Sequence, residues 1–226
     1  EFWFYTVSTL AVLALSPLTL AASRAEAAAE EAGLIAPSVC LLTPETTAGP
    51  FYLDPRLVRA GIAEGMPGTP LALGLQVVDA DCRPIAGARV DVWHCDAAGN
   101  YSGYARQGSD RTEDTRGETF MRGTQFTDAR GVVGFRTVWP GWYRGRTPHV
   151  HYKVFLDDRT LLTSQLFFPD GASGRVYAGA PYRARAGGQD TTNATDGIAR
   201  RAGPLAFARV TEEAGEWRAD LVVGVA

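Results

Sequence analysis

The chain holds three histidines, and two of them, His149 and His151, stand two positions apart in Arg146-Thr147-Pro148-His149-Val150-His151-Tyr152. Val150, Tyr152, Val154 and Leu156 alternate with His149, His151, Lys153 and Phe155, which predicts a strand. Successive strand side chains point to opposite faces, so the two imidazoles project the same way, about 7 Å apart along the backbone. Two imidazoles at that spacing can reach one metal ion. A His-x-His pair alone also occurs as two half-exposed polar residues on a strand face. Tyr143 upstream and Arg146 just before the first histidine make the cluster more specific. The turn signal Pro140-Gly141 predicts that Tyr143 returns toward the start of the histidine strand.

A second group lies earlier, in Trp93-His94-Cys95-Asp96-Ala97-Ala98-Gly99-Asn100-Tyr101-Ser102-Gly103-Tyr104. It opens a polar stretch, Asp96 to Gly117, without apolar periodicity, and loops of that length in a compact domain are usually functional or disordered. Tyr101 is the candidate ligand here, with Tyr104 its neighbouring competitor. His94 reads as a packing residue at a strand edge, and Trp93, Trp139 and Trp142 as core or pocket wall. Cys40, Cys82 and Cys95 form no close pair of the zinc type. Two of them can form a disulfide in an oxidising compartment, the sequence not stating which, or all three are small buried hydrophobes.

These residues need a frame. A length of 226 residues fits one domain, and 46% apolar with 21% charged residues allows a real core. A net charge of −3 offers no basic footprint for nucleic acid. With 25 glycines and 13 prolines among many Val, Thr, Phe and Tyr, the expectation is an all-β chain. Strands are expected over 71–78, 89–95, 119–127, 132–138, 149–156, 161–168, 205–210 and 217–223, with one or two helical turns at 56–64. The expected fold is an antiparallel two-sheet β-sandwich with long functional loops and a short helical N-terminal segment near 28–35. Phe2 to Ala22 carries no charge, and Ala25-Glu26-Ala27 gives a small-x-small pattern. Residues 1–27 therefore read as a secretory signal peptide or, uncleaved, as a membrane anchor, and less readily as a buried first helix. The domain is then 28–226, exported to a secreted or periplasmic location, with membrane contact only through residues 2–22. The oligomeric state stays open.

Together, Trp93-x-x-Asp96-Ala97-x-Gly99-x-Tyr101, Pro140-Gly141-x-Tyr143 and Arg146-x-x-His149-x-His151 resemble, in order, the motifs of the intradiol ring-cleavage dioxygenases. These are non-haem ferric enzymes that include the catechol and protocatechuate dioxygenases. Thr47-Ala48-Gly49-Pro50-Phe51-Tyr52 is similar to the family's substrate-pocket loop, and Thr163 to Phe168 to the strand after the histidines. The resemblance runs from about Thr43 to Gly171. It implies Fe(III) held by Tyr101, Tyr143, His149 and His151, with Tyr143 the ligand that substrate displaces. It also implies Arg146 beside the substrate, Gln165 assisting Arg146, and Gly49, Pro50 and Phe51 at the substrate pocket. The implied activity is oxidoreductase: a small aromatic diol and O2 give a muconate-type diacid, the ring opening between its hydroxyl-bearing carbons. The donor set suits the ion, since ferric iron is hard and phenolate oxygen serves it better than thiolate. A secreted transthyretin-like binding module without turnover is the alternative. A zinc hydrolase is disfavoured, because zinc seldom takes two tyrosines and wants another histidine or a carboxylate. Phe51, where some relatives carry tyrosine, hints at a less polar pocket for plain or alkyl-substituted catechol. Arg106, Arg144 and Arg175 are the candidates to meet a substrate carboxylate.

Overall fold

The computed structural model describes residues 33–36, 41–54, 56–108 and 111–226. The leader assigned to 1–27, most of the expected N-terminal helix and Cys40 lie outside the described residues. Ten strands run in order: β1 Pro70–Val78, β2 Arg89–Trp93, β3 Ala105–Gln107, β4 Glu113–Asp114, β5 Arg122–Phe126, β6 Val132–Val138, β7 His149–Leu156, β8 Arg159–Phe167, β9 Arg209–Glu213 and β10 Glu216–Gly224. One sheet has the order β6-β1-β10-β9 and the other β5-β2-β7-β8, with β3 and β4 as a separate ribbon.

The two sheets bury their facing side chains in one core. Leu71, Leu73, Leu75 and Val77 of β1 share it with Val90 and Val92 of β2 and with Val150, Tyr152 and Val154 of β7. The period-2 pattern that predicted these strands is the pattern of that inner face. Across the sheets the pairing is antiparallel with one exception: β10 lies parallel to β1, Leu71 opposite Trp217. A parallel neighbour needs a long crossover, and the chain between β8 and β9 supplies one. That crossover carries two short helices, α1 Asp170–Tyr177 and α2 Gly197–Ala202.

Two expectations are corrected. Residues 56–64 are not helical. They run extended as a strap, Arg59 N donating to Thr124 O and Ile62 N to Arg136 O, so edge groups of both sheets take the bonds a helix would have kept for itself. The stretch 205–210 is not one strand. Pro204–Ala206 forms a 3-10 turn, and β9 starts only at Arg209. Proline cannot donate a ladder hydrogen bond, which favours the turn. Cys82 is disulfide-bonded and Cys95 is a free, buried thiol. Among the described residues no helix is long and apolar enough to cross a membrane.

Candidate metal centre

β7 presents His149 and His151 on the face of its sheet away from the sandwich core. The sequence makes that face polar, yet both histidines are buried, because the loops around 44–52 and 94–117 cover them. The register sets Trp93 of β2 and Gln165 of β8 on either side of His151. The Trp93 indole stacks on the His151 ring, centroids 4.9 Å apart and 10° from parallel.

The tyrosines arrive on loops whose backbones are tied to each other. After β2, the Asp96 carboxylate accepts from Ala98 N at 2.9 Å and Asn100 N at 2.8 Å, closing the turn that delivers Tyr101. The Asp96 carbonyl accepts from Gly141 N at 2.9 Å and so binds the Pro140-Gly141 turn to the same loop. A side chain at Gly141 would overlap the Ala97 carbonyl. Tyr143 follows two residues on, in a tight turn closed by Arg146 N donating to Tyr143 O.

His149 Nδ1 lies 2.6 Å from the Thr147 carbonyl, which makes Nδ1 the protonated nitrogen and leaves Nε2 as a lone pair. Around that lone pair stand Tyr143 Oη at 3.0 Å, His151 Nε2 at 3.2 Å, Tyr101 Oη at 3.3 Å and Arg146 Nη1 at 3.3 Å. The two tyrosine oxygens are 3.4 Å apart. One lone pair cannot accept from four neighbours at once. Separations of this size are those of donors that share an ion at about 2 Å, the reach of first-row metal bonds to nitrogen and oxygen. Two imidazole nitrogens and two phenol oxygens thus fit a hard trivalent cation. Among the described residues no group of three or more His, Cys, Asp or Glu can hold a metal ion, so the centre depends on its phenols.

Electrostatics agree. Burial, and then the Arg146 charge, pushes His149 down to about 3, and burial followed by the neighbouring His149 holds His151 well below the usual imidazole range. Both are neutral donors at ordinary pH. Burial pushes Tyr101 well above the ordinary phenol range and Tyr143 up to about 12. Phenolates here therefore need a cation beside them.

Arg146 is clamped from two sides. Its Nε donates to Asp196 at 2.8 Å and its Nη2 to Gln165 Oε1 at 2.5 Å, while Gln165 Nε2 donates to the Thr47 carbonyl at 2.8 Å. Nη1 is left facing the tyrosines and histidines. Asp196 was not foreseen. It caps α2 through Ile198 N and Ala199 N, and its second oxygen also takes Thr147 N. The signal was an aspartate before a short Ala/Arg helical pattern, together with a buried arginine that needs a counter-charge.

The loop that holds Gly49, Pro50 and Phe51 lies against this cluster. Gly49, at φ +64°, lies over the His151 ring, where a Cβ would come to 3.3 Å of Cε1. Pro50 forms its turn, and Phe51 stacks on Tyr101 at 4.6 Å. Phe51, Tyr101, Tyr143, Arg106 and Arg144 line a cavity of about 290 Å³. Other candidates fall away. Tyr104 donates to the Tyr52 carbonyl, and Arg175 lies over the Trp217 ring. His94 is not at a strand edge. It is fully buried, bonded to the Cys95 carbonyl and Thr137 Oγ1. Trp93, Trp139 and Trp142 are buried as walls and core.

The β-sandwich thus gathers two tyrosines and two histidines beside a clamped arginine, a donor set with the chemistry to hold a metal ion. Residues 53–173 match the family model described as Dioxygenase. The solved intradiol ring-cleavage dioxygenase from Tetranychus urticae superposes with a TM-score of 0.76 at 30% identity, covering 82% of this chain and 94% of that one. Catechol 1,2-dioxygenase 1 of Acinetobacter lwoffii is 29% identical over 146 residues, 54% of this chain and 45% of the relative. Chlorocatechol 1,2-dioxygenase of Pseudomonas sp. strain P51 is 31% identical over 144 residues, 54% of each. The chain spans about half the length of the curated relatives it matches. It belongs to the intradiol ring-cleavage dioxygenase family.

Proposed function

We propose that the chain is an Fe(III)-dependent dioxygenase that opens catechol-type rings between the two hydroxyl-bearing carbons, taking up O2 and releasing a muconate-type diacid. The observation that carries this reading is the convergence of Tyr101, Tyr143, His149 and His151 at one point beside the free Nη1 of Arg146. When bound, ferric iron supplies a Lewis acid that neutralises the doubly deprotonated diol and makes its ring reactive toward oxygen.

The residues divide the work by their surroundings. Tyr101 is fully buried under Phe51 and keeps its place. Tyr143 is less buried and lines the cavity, so it is the phenol that yields to substrate. Its Oη would take up one of the two diol protons, the other passing to water in the open cavity, so no bare phenolate is stranded. His149 and His151 stay neutral and fixed, His149 by Thr147 and His151 by Trp93. Arg146 Nη1 is held where negative charge grows on the ring, at no cost in reorganisation, because Gln165 and Asp196 already hold the other two nitrogens. A binding module without turnover has no use for such a clamp.

The test is oxygen uptake on catechol with identification of the diacid. Purified protein should be red to burgundy from phenolate-to-ferric charge transfer, and anaerobic catechol should shift the colour. Colourless protein with stoichiometric zinc and no oxygen uptake would refute the reading. We infer export as well, supported by the uncharged run at 2–22 and by the disulfide at Cys82. Mass spectrometry of the N-terminus after expression in an exporting host checks it; a protein retained in the cytoplasm with its N-terminus uncut would count against it.

A further inference from the structure

Four side chains form one row across the outer face of the β5-β2-β7-β8 sheet. The register sets Arg122 of β5 opposite Trp93 of β2, Trp93 opposite His151 of β7, and His151 opposite Gln165 of β8. Residues directly opposite one another in an antiparallel pair share a face. The two inner members stack on each other, and Gly49 lies over the His151 ring. The two outer members each grip the loop that carries Gly49. Gln165 Nε2 donates to the Thr47 carbonyl at 2.8 Å, and Arg122 Nη1 donates to the Phe51 carbonyl at 2.8 Å. The stretch 47–51 therefore spans the row and is pinned at both ends.

The Gln165 end has a second duty, since the same amide holds Arg146. The Arg122 end is different. Arg122 is only 2% exposed, and its donated bonds all go to neutral oxygens. Besides Phe51 O it reaches Ser102 twice, Nε donating to Oγ at 2.9 Å and Nη2 to the carbonyl at 2.7 Å. Among the described residues no carboxylate lies within ion-pair distance of it. A buried charge without a counter-charge costs stability. What the guanidinium supplies there is geometry: one planar fork joins the Phe51 backbone to the Ser102 backbone. Ser102 directly follows Tyr101, and the Phe51 ring stacks on the Tyr101 ring with centroids 4.6 Å apart. The fork thus fixes both members of that stack from behind. Tyr52 is held separately, its hydroxyl donating to Asp91 and its carbonyl accepting from Tyr104. Loss of Arg122 would free Phe51 without releasing the whole loop.

We propose that Arg122 is a positioning residue for the diol. Phe51 and Tyr101 line the cavity beside Tyr143, and Arg122 stands outside that lining. It holds the Phe51 ring against Tyr101 and so fixes the wall on which a bound diol ring rests, without touching the diol. The diol comes from the ring-cleavage reading; the clamp on Phe51 does not depend on it.

The full chain with Arg122→Met, which keeps an unbranched stem and removes every donor, is compared with Arg122→Lys and with the unaltered chain. Hydrogen exchange of the iron-free protein reads the clamp. In Arg122→Met the segment 47–54 should exchange faster, by on the order of tenfold, while the β7 amides keep their rate. Iron-loaded protein is then assayed on catechol at saturating O2. KM should rise on the order of tenfold with a smaller change in kcat. A merely structural defect would instead lower the active fraction, and with it kcat, at unchanged KM. Arg122→Lys, which has no planar fork, should fall between the two. In a Phe51→Ala background Arg122→Met should add little, because the residue it acts through is gone. An unchanged KM or an unchanged loop exchange overturns the proposal, as does a KM effect that persists undiminished beside Phe51→Ala. Should Arg122→Met fail to fold, Arg122→Lys is read by the same criteria. An unaltered chain that turns over no diol sinks the ring-cleavage reading, and the clamp then stands or falls on the exchange alone.

Discussion

On the proposed reading, removing the His151 imidazole takes away a metal ligand that no adjacent side chain replaces, since Trp93 on one side and Gly49 on the other have no side-chain lone pair to offer. His151→Ala should lose the metal and the colour. Tyr143→Phe, at the less buried phenol, should keep iron and change the spectrum more mildly; metal analysis with absorption spectra distinguishes the two. Asp196 makes a separate prediction. Asp196→Asn keeps an oxygen for the α2 cap but removes the negative charge opposite a largely buried Arg146, and stripping the partner from such a pair costs about 3–5 kcal/mol at most. Metal content should stay near normal, thermal stability should drop, and kcat should fall more than KM changes. A variant with unaltered kcat would show that Arg146 needs no such anchor. The convergence of Tyr101, Tyr143, His149 and His151 was legible because histidines at period 2 and tyrosines after Gly-x are local patterns. Asp196 was not, because its partner lies fifty positions away in sequence.

The histidine hairpin and the strands of the core were read correctly because one face of each is apolar and the other polar. The strap at 56–64 was misread for the converse reason. It carries no strand alternation, and only the open edges of β5 and β6 make it extended. The loop tie between Asp96 and Gly141 was likewise invisible, since a backbone hydrogen bond leaves no mark on residue type. It nonetheless positions both tyrosines. Gly141→Ala should push the Pro140 turn away from the Ala97 carbonyl, destabilising the fold by about 1–3 kcal/mol. Because Tyr143 follows two residues on, iron affinity should fall as well, and urea denaturation together with a metal titration measures both. Full stability with full iron affinity would mean that the two loops are held by something other than this contact.

At the scale of the whole molecule, the sandwich was legible from strand spacing. The parallel seating of β10 on β1 was not, because it depends on the route of the long crossover and not on either strand's own residues. Closing the sandwich and covering its outer face buries all three histidines of the chain. That has a global consequence for the metal-free protein. Burial lowers His94 to about 4 and His149 to about 3, and holds His151 well below the ordinary value of 6.5. Unfolded chains take up these protons near pH 6.5, while the folded protein does not until far lower. Between pH 6.5 and about 4 the unfolded state therefore binds more protons, and stability must fall as pH falls. Asp196, lowered by Arg146 though burial works against it, adds to the same trend; Asp96 and Asp220, raised by burial, oppose it. Each buried histidine should remove on the order of a few kcal/mol across the window. Urea midpoints of iron-free protein from pH 7.5 to 4 read the slope directly. His94→Gln, which removes a buried imidazole outside the proposed ligand set, should flatten part of it. A midpoint that holds steady down to pH 4 would mean that the imidazoles reach solvent, and that the enclosure deduced for the site does not exist in solution.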